Sequence, residues 1–415
     1  MKLLSKIKEF LSQDKLFFKD ALLNMVAFAI YIVSQQLVLL PAFSKLLGEE
    51  SYANVIIFIA VLNVFGNVLG GQIGVTRQLQ KKQYLGNELE ESNDFSLLMI
   101  FASILITFCF PIILIILEYD WVSIIFMIII ALLLNFRLYI RYLFRVNSTY
   151  IKIIFQNLCY LCGIGCGLFL FSIVRFVWFP LFLGELFAIV YIICVIPHTK
   201  IYLRASISFK NTVARYGALG SADALTNVVT LIDKLLVYPL LGAYSLAVYN
   251  AGTTTSRVAA LVMNPLNEVI LVKLSKAKDK GAKSLLRTVI KMSIISVTVM
   301  FVILVPVIYC LSFILYKQYL VDISSIILLL SIGCAVGTTS SVMKSFILRF
   351  AKPKQLTSCY VINLIVLVVL GYLGAKVLDL LGFAISMVLG RIELWVSFVF
   401  VLVKYCKNGD GENGK

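Results

Sequence analysis

Charge is what this chain has least of. Of 415 residues only 14% are Asp, Glu, Lys or Arg, against about 25% in soluble globular domains. Sixty-one per cent are hydrophobic and the mean hydropathy is +0.98, which excludes a soluble globular protein and leaves little chain outside a membrane. Acid is scarcer than base, 21 residues against 37. The basic residues fall between apolar runs and form no RNA- or DNA-binding module, so nucleic acid is excluded as a partner. Histidine occurs once, as His198 in "VIPHTK"; with no HExxH and no phosphate-binding P-loop, the chain carries no catalytic constellation and reads as a non-enzyme. Nine cysteines lie mostly in apolar runs, Cys159, Cys162 and Cys166 on one predicted helix. No CxxC pair falls in a loop, and they read as small packing residues, with no metal and no cofactor. A cleavable signal peptide is also missing, because the first apolar run is too long.

Long apolar runs are what the chain has instead. A spanning helix needs about 20 mainly apolar residues, and twelve segments qualify: 18–42, 51–75, 96–117, 121–143, 150–174, 177–197, 214–240, 244–272, 288–315, 321–347, 356–378 and 381–405. Ahead of them, residues 1–17 set Leu3, Leu4, Ile7, Phe10 and Leu11 against Lys2, Lys6, Lys8 and Lys15, the pattern of an amphipathic helix on a membrane surface. With the N-terminus in the cytoplasm, the cytoplasmic segments hold thirty Lys or Arg and the opposite loops four, Lys45, Arg175, Lys317 and Lys376. The positive-inside rule then places both termini in the cytoplasm, with an even number of spans.

The halves resemble each other. Pro41 and Pro239 close the first and seventh segments, Pro111 and Pro306 interrupt the third and ninth, and Arg145 and Arg349 follow the fourth and tenth. Three matches in one order at offsets of about 200 residues indicate a six-plus-six parallel repeat. The expected fold is an all-α polytopic membrane protein, about 12 transmembrane helices in two six-helix lobes around a central cavity. The lobes are expected at 18–197 and 214–405, with a cytoplasmic linker at 198–213 and a cytoplasmic tail at 406–415.

Three basic residues, Lys234, Arg257 and Arg391, fall inside predicted spans. Insertion at mid-span costs a charge about 2.5–3.5 kcal/mol, so such residues face a cavity or a partner. The seventh segment carries Asp223, Asp233 and Lys234, the eighth carries Arg257, and the twelfth carries Arg391 and Glu393. By depth, either Asp223 or Asp233 suits Arg257 as counter-ion. Asn24, Gln35, Gln36, Asn63, Asn67 and Glu185 make the first half polar more mildly. These residues, with Asn24 as the N-terminal member, are the candidates for lining a cavity. Mutual neutralisation that merely holds helices together is the competing reading.

In "NFRLYIRYLFR", Arg137, Arg141 and Arg145 repeat every four residues and so form one slowly turning helical stripe. Depth counting from Trp121 places Arg145 outside the hydrocarbon, Arg141 at its edge and Arg137 about one turn within. They read as snorkelling topology residues, or as a basic lip where Arg137 and Arg141 meet a phosphate headgroup at the cytoplasmic mouth.

Twelve spans, two lobes and "LIDKLLVYPLLGAYSLAVYNAG" resemble the polysaccharide transport branch of the multidrug/oligosaccharidyl-lipid/polysaccharide exporter superfamily, nearest the Wzx-type O-antigen and capsule repeat-unit flippases. The motif residues are Asp233, Lys234, Leu241, Gly242, Ala247, Tyr249 and Ala251. The resemblance implies alternating access, an undecaprenyl-diphosphate-linked oligosaccharide as anionic substrate, and a cationic cavity to which Lys234, Arg257 and Arg391 are suited. For a substrate of that charge an inside-negative potential is one drive for export and H+ or Na+ bound at Asp223 or Asp233 the alternative, with a glycan polymerase as candidate partner. Two alternatives stand beside it. A drug or metabolite antiporter of the same superfamily requires acids to dominate the cavity. A membrane glycan polymerase or glycosyltransferase requires a large extramembrane loop, whereas these loops are short.

Overall fold

A computed structural model describes residues 22–84, 86–147, 149–196, 204–276, 282–350 and 353–412. Side chains within 258–289, 348–350 and 405–412, and at a few isolated positions, lie outside the description. The amphipathic segment 1–17, His198 and the Arg349 side chain therefore also lie outside the described residues.

The apolar runs form helices, the conformation that satisfies every backbone N–H and C=O within one segment when no water is available. They are α1 Leu22–Leu46, α2 Glu49–Gln80, α3 Glu88–Ile116, α4 Trp121–Val146, α5 Tyr150–Val174 and α6 Phe179–Val195. The helix Phe209–Lys276 folds back at Gly242 (φ 82°, ψ −178°) into α7, 209–241, and α8, 243–276. Next come α9 Ala282–Leu315 and α10 Leu320–Phe350. The helix Pro353–Glu412 breaks at Leu378 and Asp379, giving α11, 353–377, and α12, 380–412. Among the described residues nine helical stretches are long and apolar enough to cross a membrane, two of them these folded pairs, and α6 at 17 residues is slightly shorter. The predicted twelve-helix, all-α multi-pass architecture is the one observed.

Local chemistry explains the irregularities. Pro41 lacks the N–H that a regular helix would aim at the carbonyl of residue 37, and its ring crowds that carbonyl. The chain responds by widening to a π-helix over Val33–Leu39 just ahead of it, carrying Ser34, Gln35 and Gln36 inward. A second π-helical turn, Asn67–Gly71, interrupts α2. There a Cβ on Gly70 would stand 2.3 Å from the Asn135 carbonyl oxygen, so α2 and α4 touch at backbone distance. Small residues set the other close packings as well, as expected where helices pack without a hydrophobic drive. A Cβ on Gly163 would meet the Leu183 carbonyl at 2.3 Å, and one on Gly167 the Pro180 Cα at 2.4 Å, which fixes α5 on α6.

The chain divides into two compact units: Met1–Leu39 with Val61–Ala224, and Leu40–Ala60 with Leu225–Lys415. The first unit has an apolar core that includes Phe95, Leu98, Tyr139, Ile140 and Ile192. The second packs Met300, Leu304 and Ile308 of α9 against Ile327 and Ala335 of α10.

Candidate functional site

Each unit contains a polar cluster inside an otherwise apolar interior. In the first unit the cluster is built on α4. The Arg137 guanidinium donates from Nε to Glu185 Oε2 at 2.6 Å and from Nη2 to Glu185 Oε1 at 2.9 Å. The side chains are 0% and 2% exposed. Two tyrosines flank the guanidinium, with ring centroids 4.9 Å (Tyr31) and 4.6 Å (Tyr160) from its Cζ. This planar, weakly hydrated cation suits both the bidentate fork to a carboxylate and stacking on aromatic faces. Gln35 donates to the Tyr160 hydroxyl at 3.0 Å. Arg137 Nη1, Gln156 Oε1 and Arg141 Nε are buried without a hydrogen-bond partner.

The arginine stripe is thus placed differently at each residue. Arg137 is fully buried against Glu185, where depth counting expected a position beside the mouth. Arg141 is half-buried and has no carboxylate within 4.0 Å among the described residues. Arg145 donates to Asn24 Oδ1 at 3.1 Å, tying α4 to the start of α1. Asn24 accordingly works as an anchor for Arg145.

In the second unit the cluster sits on the α7–α8 pair. Asp233 lies nine residues before Gly242, about 13 Å along the helix and so near mid-span. The fold at Gly242 brings residues of α8 at the same depth against it. Lys234 Nζ donates to Asn250 Oδ1 at 2.5 Å, and Asn250 Nδ2 donates in turn to the Tyr52 hydroxyl at 3.4 Å. Asp233 accepts from the Lys234 amide at 2.8 Å and from the Tyr249 hydroxyl at 3.4 Å. Arg257 reaches Asp233 Oδ2 at 3.8 Å, with its side chain 33% exposed against 6% for Asp233. Of the two acids considered as its counter-ion, Asp233 holds that place; Asp223, half-buried on α7, belongs to the first unit.

Arg391 of α12 extends over Gly337 of α10, where a Cβ would stand 3.6 Å from Nη1. Tyr249 and Cys334 both lie within electrostatic range of Arg391 and of Arg257. Among the described residues, Lys234 and Arg257 thus lie beside one carboxylate, Asp233, and Arg391 lies near the same Tyr249 that donates to Asp233. Glu393 is engaged elsewhere, accepting from Asn363 Nδ2 and Ser397 Oγ at 2.7 Å each. Asn363 Nδ2 also donates to the Gly390 carbonyl at 2.6 Å, so this group pins α11 to α12. Sequence reasoning missed Tyr31, Tyr160, Gln156, Tyr52 and Asn250 as cluster members. A signal was present: Tyr31 with Gln35, and Gln156 with Tyr160, are four residues apart and share a helix face.

No family model matches the chain, and no curated protein does. Solved structures do. One is the inward-facing conformation of a multidrug resistance MATE family transporter of the MOP superfamily (TM-score 0.63, 13% identity, 92% of this chain and 94% of that one). Another is the outward-facing conformation of a multidrug resistance MATE family transporter of the MOP superfamily (0.62, 15%, 93% and 95%). A third is a mutant of the Vibrio cholerae MATE transporter VcmN (0.63, 14%, 96% and 98%). Along nearly its whole length, the chain has the fold of the MATE transporters of the MOP superfamily.

Proposed function

We propose that this protein is a flippase that moves undecaprenyl-diphosphate-linked oligosaccharide repeat units across a bacterial cytoplasmic membrane by alternating access, for O-antigen, capsule or related surface polysaccharide. The observation that carries this reading is the charge of the second unit's cluster, in which, among the described residues, Lys234 and Arg257 adjoin the one carboxylate of Asp233 and Arg391 lies near the Tyr249 bonded to it. An anionic diphosphate offers such a cluster charge-assisted hydrogen bonds. An organic cation finds there an excess of like charge, and like charge disfavours a partner as strongly as opposite charge attracts it. Arg257 and Arg391, both partly exposed, are the first contacts for the headgroup, with the buried Lys234 behind them. The sugar travels in polar surroundings while the lipid tail stays in the bilayer, and no covalent chemistry or cofactor takes part. With both termini in the cytoplasm, an inside-negative potential favours export of the diphosphate by about 2.3 kcal/mol per charge per 100 mV. H+ or Na+ coupling at Asp233 or Asp223, and a glycan polymerase receiving the product, complete the reading.

The MATE neighbours described as multidrug resistance transporters support a second reading, a cation-coupled drug or metabolite antiporter. Proteoliposomes separate the two. The flippase exposes a fluorescent lipid-linked oligosaccharide on the opposite leaflet and takes up no organic cation. In cells, Arg257→Ala is expected to abolish surface glycan; normal glycan at normal protein level removes Arg257 from the substrate path.

A further inference from the structure

Among the described residues, Arg141 stands between two like charges with no acid of its own within 4.0 Å. On α4 it lies one turn from Arg137 and one from Arg145 and feels the charge of both, together with the Tyr31 and Tyr142 rings. Among the described residues one carboxylate meets the stripe, Glu185, and both its oxygens are taken by Arg137. Arg145 is held by a neutral amide. The stripe therefore keeps an excess of positive charge inside the first unit. Two of its buried N–H groups have no acceptor: Nη1 of Arg137, a fully buried residue, and Nε of Arg141. A guanidinium does not shed its proton, so this charge is not removed by neutralisation. Water supplies hydrogen bonds to such groups but no countercharge, and a cation drawn partly out of water without a countercharge is disfavoured.

We propose that a small anion, an inorganic one or the phosphoryl group of a lipid, is bound between Arg137 and Arg141 and accepts from Arg137 Nη1 and Arg141 Nε. Residues four apart rise about 6 Å along a helix, a separation that one anion placed between the two guanidiniums spans with two hydrogen bonds. Glu185 holds the far edge of the Arg137 guanidinium and competes with the anion for its charge. Gln156 packs beside Arg137, donating from Nε2 to its carbonyl at 3.5 Å. This site lies in a different unit from the Arg257 cluster and does not rest on the flippase reading.

The test uses the purified full-length protein in lipid nanodiscs, with its melting temperature followed at constant ionic strength in sodium gluconate, chloride, phosphate or methyl diphosphate, and separately with geranyl phosphate. The site predicts a rise of about 2–4 °C in at least one of these over gluconate. A shift with the inorganic salts identifies a free anion as occupant; a shift with geranyl phosphate alone identifies a lipid phosphate. Arg141→Met, which removes the charge and keeps the bulk, is expected to abolish the shift and to melt higher than wild type in gluconate. Glu185→Gln is expected to enlarge it. Equal melting in every salt, a shift that survives Arg141→Met, or an Arg141→Met protein less stable than wild type in gluconate each overturns the proposal. Surface glycan in the Arg257→Ala strain is a separate readout, so either idea can fail without the other.

Discussion

Arg137 and Glu185 meet edge to edge in the first unit, two hydrogen bonds at 2.6 and 2.9 Å with neither side chain open to its surroundings. Such a pair gains little over a well-packed apolar pair, but breaking it leaves one ion without its counter-ion. Glu185→Leu or Arg137→Met is each expected to cost about 3–5 kcal/mol, whereas the double replacement Arg137→Met with Glu185→Leu costs far less than the sum. Thermal unfolding of the four proteins in detergent closes the cycle. Additive losses would show that the two residues act separately.

Gly374 and Gly382 face each other across the fold that joins α11 to α12. A Cβ on Gly382 would stand 2.1 Å from the Gly374 carbonyl oxygen, and one on Gly374 would stand 2.4 Å from that of Gly382. Because the obstacle is backbone, no side-chain rotation relieves it. Gly382→Ala is expected to cost about 1–3 kcal/mol and to lower the melting temperature. Gly165, where nothing lies within 4 Å of an added Cβ, is the control, and Gly165→Ala should leave the melting temperature unchanged.

The Tyr84 hydroxyl donates to Asp94 Oδ2 at 2.7 Å and lies 2.8 Å from Thr212 Oγ1, while Asp94 also accepts from the Ser206 amide and hydroxyl. These contacts tie the α2–α3 connection to the entrance of α7. Burial, reinforced by the Asp94 carboxylate, pushes the Tyr84 hydroxyl up to about 12. A group raised in the folded state contributes stability that is fully present below its unfolded value, about 10 for tyrosine, and is lost as pH rises toward 12. Tyr84→Phe is expected to cost about 1 kcal/mol at neutral pH and to flatten the loss of stability between pH 10 and 12. Melting curves over that range measure it; an unchanged slope would show that Tyr84 does not titrate with unfolding.

How much was legible in the sequence follows from what each inference rested on. Helix count and boundaries depend on apolar length, which the bilayer dictates, and even the turn at Gly242 was marked by its Leu-Gly step. The Lys234, Asp233 and Arg257 grouping was legible because two helices joined by a short turn have a fixed register. Glu185 as the partner of Arg137 was not, because the two lie 48 residues apart on α6 and α4, and depth alone does not say which helices touch. Depth counting also treats every arginine near an interface as free to snorkel. Glu185 and the two tyrosine rings hold Arg137 inward against that tendency. The π-helix ahead of Pro41 was hidden for another reason: proline marks where a helix must deform, but neighbouring packing decides how.

Asn250 offers a way to change the charge of the second cluster while keeping its shape. Its Oδ1 accepts from Lys234 Nζ at 2.5 Å, so Asn250→Asp preserves that acceptor and turns a neutral contact into an ion pair; the one bond forfeited is the long 3.4 Å donation to the Tyr52 hydroxyl. Counted over the described residues, three cations then stand with two carboxylates, and the excess of positive charge is halved. An anionic diphosphate should lose affinity, so flipping of the lipid-linked oligosaccharide in proteoliposomes should fall, by about tenfold for each 1.4 kcal/mol of binding forfeited. Lys234→Met lowers the same excess by removing a cation and should reduce flipping in the same direction, although it also strips Asn250 Oδ1 of its donor and lowers stability. Asn250→Asp therefore carries the sharper measurement, with protein amount and melting temperature held as controls. If flipping falls with Asn250→Asp while melting stays within about 2 °C of wild type, net charge in this cluster governs the substrate; if organic cation uptake appears in its place, the sign of the cargo follows the sign of the cluster and the antiporter reading gains what the flippase reading loses.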